Sequence, residues 1–177
     1  MFHIGDKIAL TKDIPVKGVC YGIESFGDGL IVGFQSPTPR VEILSDKGAV
    51  LNASNTSFSD PHYILVDFSH ATRILVSDRG KKKVYMLDVG LQLLQAFQLP
   101  SDGEPYGLAA VGGGQVLVAD LANLTLLKLT TGQWQTLLGR KTAGLRQPTS
   151  LVYNQAMKLL YVWGGMDDEI KVYTVSE

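Results

Sequence analysis

RILVSDRGKKKVYML, residues 73 to 87, consists of two apolar runs separated by an aspartate, a glycine and a cluster of basic residues. Its central valine has counterparts along the chain. GLIVGFQ, RILVSDR, QVLVADL and LLYVWGG align on Val32, Val76, Val118 and Val162, at intervals of 44, 42 and 44 residues (76−32, 118−76, 162−118). A fixed period of this length is the signature of a repeat architecture.

Each repeat holds more than its anchored run. CYGIES, HYILVDF, PYGLAAV and PTSLVYN precede the anchors, VEIL, VYML, LLKL and IKVY follow them, and a further apolar run follows the first three. Short β-branched or apolar runs split by Gly, Asp, Asn and Pro read as strands joined by tight turns. The unit is four antiparallel strands, a to d, and four strands in about 40–45 residues make the blade of a β-propeller. LQLLQAFQL (91–99) has a helical composition but stands where strand d belongs, so it reads as a strand. The expected fold class is all-β: one propeller domain over residues 1–177, with four blades near 18–56, 61–100, 104–141 and 147–177.

The ends of the chain fit this scheme. Strand d starts nine residues after strand c (Val41 to Val50, Val84 to Leu93, Leu127 to Thr136), and from Ile170 that start would fall at 179, beyond Glu177. KIALTKDI (7–14) precedes the first strand a at the spacing of a strand d, with 13 residues from Leu10 to Ile23 against 14 from Leu51 to Leu65. Residues 7–14 are therefore expected to close the last blade, giving a monomeric ring with no open sheet edge. A part of a six-bladed ring, or an open arc that forms a homodimer, would have the same ends.

Composition is that of an ordinary globular protein, 45% hydrophobic and 19% charged, and a net charge of −1 provides no general attraction to polyanions. Asp6 and Lys7 interrupt the N-terminus where a secretory signal needs an apolar core, and no apolar run reaches the about 20 residues of a membrane span. Cys20 is the single cysteine, which suits a reducing, cytoplasmic setting. At the start of a strand it reads as a small buried hydrophobe.

QVLVADLANLTLLKL resembles the core of an NHL repeat, an apolar strand ending in Val-x-Asp, a turn with Asn and a second apolar strand. RILVSDRGKKKVYML resembles it with Gly in the turn, and PYGLAAV matches its Pro-x-Gly-apolar opening. IKVYTV looks like the final strand of the propellers that end tripartite-motif (TRIM) ubiquitin ligases. Blades one and four depart from the pattern, with Phe34 and Gly164 where Asp78 and Asp120 stand. The resemblance implies a recognition domain, with six-bladed rings as the family norm. No RING or B-box cysteine–histidine pattern exists here, so no ligase activity is implied.

Asp78 and Asp120 recur at the end of strand b, where an aspartate serves as acceptor for the free amides of a turn. Glu24, Asp67 and Asn154 of strand a are a scattered set without a repeated acidic position, whereas a hard metal needs several oxygens at one centre. His62, His70, Ser69 and Ser150 lie outside any Gly-x-Ser-x-Gly elbow. No catalytic residue, metal ligand or cofactor is assigned. Asn52, Asn55 and Asn123 head glycosylation-type triplets that read as polar turns.

Tyr21, Tyr63 and Tyr106 recur at the start of strand a, with Thr149 in the fourth copy. That end of strand a lies near the channel mouth in propeller topology, and tyrosine there offers an apolar body with a polar tip. The b–c turns share the same face. Blade two contributes Arg79, Lys81, Lys82 and Lys83 to it, and blade four contributes Asp167, Asp168 and Glu169. The d–a connections add Arg140, Lys141 and Arg146, and Asp102 and Glu104. A rim of both signs suits a protein or peptide partner, because charge placement sets orientation. The expected function is non-catalytic binding of such a partner. RNA binding through the basic turn is the alternative, and a metal-dependent hydrolase or lactonase is a distant third.

Overall fold

A computed structural model of the chain describes residues 11–68, 71–139, 145–166 and 168–175. Among them the secondary structure is β-strand and turn. Blade one contains β1 (Val19–Phe26), β2 (Gly29–Ser36), β3 (Arg40–Leu44) and β4 (Val50–Ala53). Blade two contains β5 (Pro61–Asp67), β6 (Arg73–Asp78), β7 (Lys83–Leu87) and β8 (Leu93–Gln98). Blade three contains β9 (Leu108–Gly112), β10 (Gln115–Ala119), β11 (Asn123–Lys128) and β12 (Gln133–Gly139). Blade four contains β13 (Pro148–Asn154), β14 (Leu159–Gly164) and β15 (Lys171–Thr174).

Each blade is an antiparallel meander whose spatial order follows the chain. The fold is a four-bladed β-propeller, as the 42- to 44-residue period predicts, and 91–99 does contribute a strand rather than a helix. The period-2 alternation of a strand explains how the blades stack. In β6, Ile74 and Val76 point toward blade one and join Ile31, Ile43 and Ile64 in one core, while Leu75 points toward blade three and joins Leu108, Val116 and Val118 in the next. Leu117, Leu124, Leu151 and Leu160 fill the core between blades three and four. The b strands of blades one to three are covered on both faces, which is why they read as continuous apolar runs.

Near the axis the strands approach closely. A Cβ on Gly22 would stand 3.0 Å from Ile64 Cγ1 and 3.1 Å from the His62 carbonyl oxygen, and one on Gly107 would stand 2.9 Å from the Thr149 carbonyl oxygen. The Tyr-Gly pairs of blades one and three thus place the glycine where the neighbouring inner strand leaves no room for a side chain.

Two expectations need correction. Of the proposed closing strand, residues 7–10 lie outside the described residues, and residues 11–14 form no strand. Lys12 Nζ instead pairs with Asp46 Oδ2 at 3.0 Å, and Ile14 stands against Gly48, both partners in the β3–β4 turn of blade one. Pro15, Val16 and Lys17 line a hollow with Phe34 and Leu44, so this linker lies over the apolar face of blade one that points away from blade two. Cys20 is exposed rather than buried, because a register irregularity after Val19 sets it off the face that packs on blade two. No helix of the described residues is long and apolar enough to cross a membrane.

Candidate functional site

The inner strands β1, β5 and β9 pack against one another in sequence. Where they converge, three rings from three successive blades meet. The Tyr21 and His62 rings are 5.1 Å apart between centroids and tilted by 32°. His62 and Tyr106 are 5.0 Å apart at 74°, an edge-to-face arrangement that sets the positive edge of one ring on the negative face of the other. Arg79 lies over the far side of the strip, with its Cζ 4.5 Å from the Tyr106 centroid.

Carboxylates hold the arginine in place. Arg79 Nε is 3.2 Å from Asp60 Oδ2 and 3.4 Å from Glu104 Oε2, at ion-pair distance of both without an aligned hydrogen bond to either. The Arg79 amide donates to the Asp60 carbonyl at 3.0 Å, and Gln35 Nε2 donates to Asp60 Oδ1. The Tyr106 carbonyl accepts from Ser77 Oγ at 2.8 Å, which fixes the backbone beneath the ring. His62 Nδ1 is buried with no hydrogen-bond partner. Burial first, and the Arg79 charge second, lower the His62 pKa from its ordinary value, against the opposing pull of Asp60 and Glu104. Burial raises the Tyr106 phenol from its ordinary value, with Arg79 opposing.

The predicted tyrosines divide. Tyr21 is exposed and Tyr106 half-buried, both in the strip. Tyr63 packs instead with the core between blades two and three, where burial and then the Glu24 carboxylate raise its phenol pKa. Its place in the strip is taken by His62, which stands two residues before Ile64, the partner of Val76, as Tyr21 and Tyr106 stand two residues before Ile23 and Leu108, the partners of Val32 and Val118. Tyr63 is one residue out of step with the other two tyrosines, and successive side chains of a strand point to opposite faces.

The basic turn is largely engaged by its own chain. Lys81 Nζ donates to the Ser57 carbonyl and, at 3.2 Å, to Ser57 Oγ. Lys82 Nζ donates to the Asp102 carbonyl at 2.9 Å. Lys83 is half-buried at the start of β7, paired with Asp78 and Gln98. The lysines thus tie the b–c turn of blade two to the linkers on either side of that blade.

Asp78 and Asp120 are both fully buried. Asp78 accepts from the amides of Ser59, Asp60 and Lys81, at 2.8, 3.0 and 3.1 Å. Asp120 accepts from Ser101 Oγ at 2.8 Å and from the amides of Ala122 and Asn123. Each therefore serves its own turn, as expected, and also anchors the linker that enters the blade. Of the acidic turn in blade four, Asp167 lies outside the described residues. Asp168 and Glu169 are exposed and line a shallow hollow with Arg146 and Lys171, apart from the ring strip. Among the described residues no three His, Cys, Asp or Glu side chains are grouped to hold a metal ion.

These features define a β-propeller with an aromatic strip across its inner strands. No protein-family model and no curated protein matches the sequence. Solved structures do match it. The computationally designed Ika4 protein is 12% identical at a TM-score of 0.68, over 94% of this chain and 100% of that one. The β-propeller domain of Cps50 (Swd1) from Myceliophteria thermophila is 15% identical at a TM-score of 0.70, over 89% of this chain and 54% of that one. Streptogramin B lyase is 15% identical at 0.66, over 89% and 55%. At such identities the likeness establishes the propeller fold alone, and the chain spans about half the length of the last two proteins.

Proposed function

We propose that the chain is a non-catalytic recognition module that binds a protein or peptide segment across Tyr21, His62 and Tyr106, with Arg79 at one end of the strip. The observation that carries this reading is the contact of three rings from three blades, with Tyr21 exposed. Such a surface offers rigid apolar area and polar tips at low entropic cost, the properties that enrich tyrosine and arginine at binding hot spots. Asp60 and Glu104 outnumber Arg79, so the surroundings favour a segment whose polar groups include donors or a cation. The resemblance of blades two and three to NHL repeats supports a substrate-recognition role of the kind that TRIM-type propellers have, and the unpaired, exposed Cys20 fits a reducing, cytoplasmic setting. The capture of Lys81 and Lys82 by Ser57 and Asp102 weighs against a continuous basic track for RNA.

The test is selection from a random peptide library on the folded chain, followed by affinity measurements. Peptides that bind the unsubstituted protein and lose binding to the Tyr21→Ala, Tyr106→Ala double variant support the reading. Peptides retained equally by that variant overturn it. So does single-stranded RNA binding with a steep salt slope that disappears on changing Lys81, Lys82 and Lys83 to Glu.

A further inference from the structure

Strand c repeats one pair of positions in every blade, the partner of the anchor valine and the residue two before it. These are Glu42 and Arg40 in blade one, Tyr85 and Lys83 in blade two, Thr125 and Asn123 in blade three, and Lys171 and Glu169 in blade four. Residues two apart on a strand share a face. In blade one the pair is an ion pair, with Arg40 Nε donating to Glu42 Oε1 at 2.7 Å. Blade four carries the two charges in the opposite order, and blade three is neutral. Blade two alone sets a cation, Lys83, beside an uncharged residue.

That face of blade two borders an open hollow of about 570 Å³ between its outer strands and the linker that follows blade one. The linker crosses as a strap tied at both ends. Ser54 Oγ donates to the Leu91 carbonyl at 3.0 Å at one end, and Lys81 Nζ donates to the Ser57 carbonyl at the other. Asn55 and Thr56 stand between the ties and line the hollow. On the strand side, the Tyr85 ring is held edge-to-face against Phe58 of the linker at 5.2 Å, and the cross-strand partner of Tyr85 is the small Ala96.

The Lys83 ammonium and the Tyr85 hydroxyl have no hydrogen-bond or ion-pair partner among the described residues. No carboxylate is among the described residues that line the hollow. Asp78, the cross-strand partner of Lys83, accepts instead from the amides of Ser59, Asp60 and Lys81. Asp88, after the end of β7, accepts from the amides of Gly90 and Gln92. Lys81, the other lysine beside the hollow, is held by Ser57. Lys83 is thus a half-buried cation without the counter-charge that its equivalent Arg40 has, next to apolar surface from Leu91, Leu93 and Ala96.

We propose that this hollow, apart from the ring strip, binds a small organic monocarboxylate. Its carboxylate accepts from Lys83 Nζ and the Tyr85 hydroxyl, and its apolar body rests on Ala96 and Leu93. A charge-assisted hydrogen bond to the unmatched ammonium supplies what Glu42 supplies to Arg40 in blade one. One unmatched positive charge is complemented by one negative charge, and a dianion would bring a second that nothing in the lining balances. The volume falls within the about 300–1,000 Å³ usual for small-molecule sites, which combine apolar lining with a few convergent polar groups.

Titration of the full chain with naphthoate, followed by amide chemical shifts, tests this. Naphthamide serves as the neutral counterpart and inorganic phosphate as the anion without an apolar body. Naphthoate is expected to bind with a dissociation constant on the order of 1 mM, as its size allows. The shifted amides should be those of residues 55–57, 83–85 and 91–96, around the hollow. Lys83→Met, which keeps the length of the side chain and removes its charge, should weaken naphthoate by about tenfold or more, and naphthamide should bind the unsubstituted chain as weakly. Ala96→Leu, which fills the hollow from an exposed position, should abolish binding with an unchanged far-UV spectrum. Absence of saturable naphthoate binding, equal binding of naphthamide or phosphate, an affinity that either variant leaves unchanged, or shifts confined to Tyr21, His62 and Tyr106 overturns the proposal.

Discussion

His62 meets the Tyr106 ring edge-to-face at 5.0 Å while its Nδ1 is buried without a partner, so the imidazole is held where a proton is costly. Its pKa is lowered in the folded chain from the ordinary 6.5 by burial and by Arg79. As pH falls through about 6.5 the unfolded chain takes up this proton first. The stability contribution is therefore complete above that value, declines as pH falls below it, and levels off once the folded state also binds the proton. Urea midpoints measured across this window should fall with pH for the unsubstituted protein. His62→Phe, which keeps a ring and removes the titration, should flatten this part of the profile.

Asp78 accepts three backbone amides from two segments. Removing the acceptor from a buried site costs about 1–3 kcal/mol for each group left unsatisfied. Asp78→Ala should lower stability by on the order of 3 kcal/mol in a denaturant titration. Asp78→Asn, which retains one acceptor oxygen, should lose less.

Gly22 and Gly107 stand where inner strands touch. An added Cβ meets backbone in both places, and the closest approach is 2.9 Å at the Thr149 carbonyl oxygen. Gly107→Ala should lower the thermal midpoint more than Gly22→Ala, whose nearest neighbour is the side-chain atom Ile64 Cγ1. An increase in midpoint for either variant, as expected where alanine merely reduces backbone freedom, would refute the close-approach reading.

Leu75 is fully buried between blades two and three, and Leu94 on β8 is exposed. The same substitution to alanine should cost about 2–5 kcal/mol at Leu75 and less than about 0.5 kcal/mol at Leu94. Equal costs would show that the seams are not the source of stability.

Lys82 is an exposed staple, and its ion pair with Asp102 is exchanged readily for water. Lys82→Ala should change stability by less than about 1 kcal/mol, with a smaller effect in high salt. A larger loss would mean that the linker ahead of blade three depends on this lysine for its position.

The alternating apolar residues around Val32, Val76, Val118 and Val162 were sufficient to read the propeller, because a strand buried on both faces leaves a continuous apolar run and a tight turn needs Gly, Asp or Asn. The structural role of Asp78 and Asp120 was legible for the same local reason. Which ring enters the site was not legible. Ile64 and Leu65 are both apolar, and the pairing of Ile64 rather than Leu65 with Val76 is what sets His62, not Tyr63, level with Tyr21 and Tyr106. The partners of Lys81 and Lys82 also lie 20 or more residues away, in linkers whose path only the packing of blades fixes. The sequence by itself determined the repeat, the strands and the turns, all of which rest on contacts within one unit. Tertiary structure decided the membership of the ring strip, the course of residues 11–17 over blade one and the exposure of Ile23 and Val172. These depend on how one blade meets the next, where a single-residue shift changes the face that a side chain occupies.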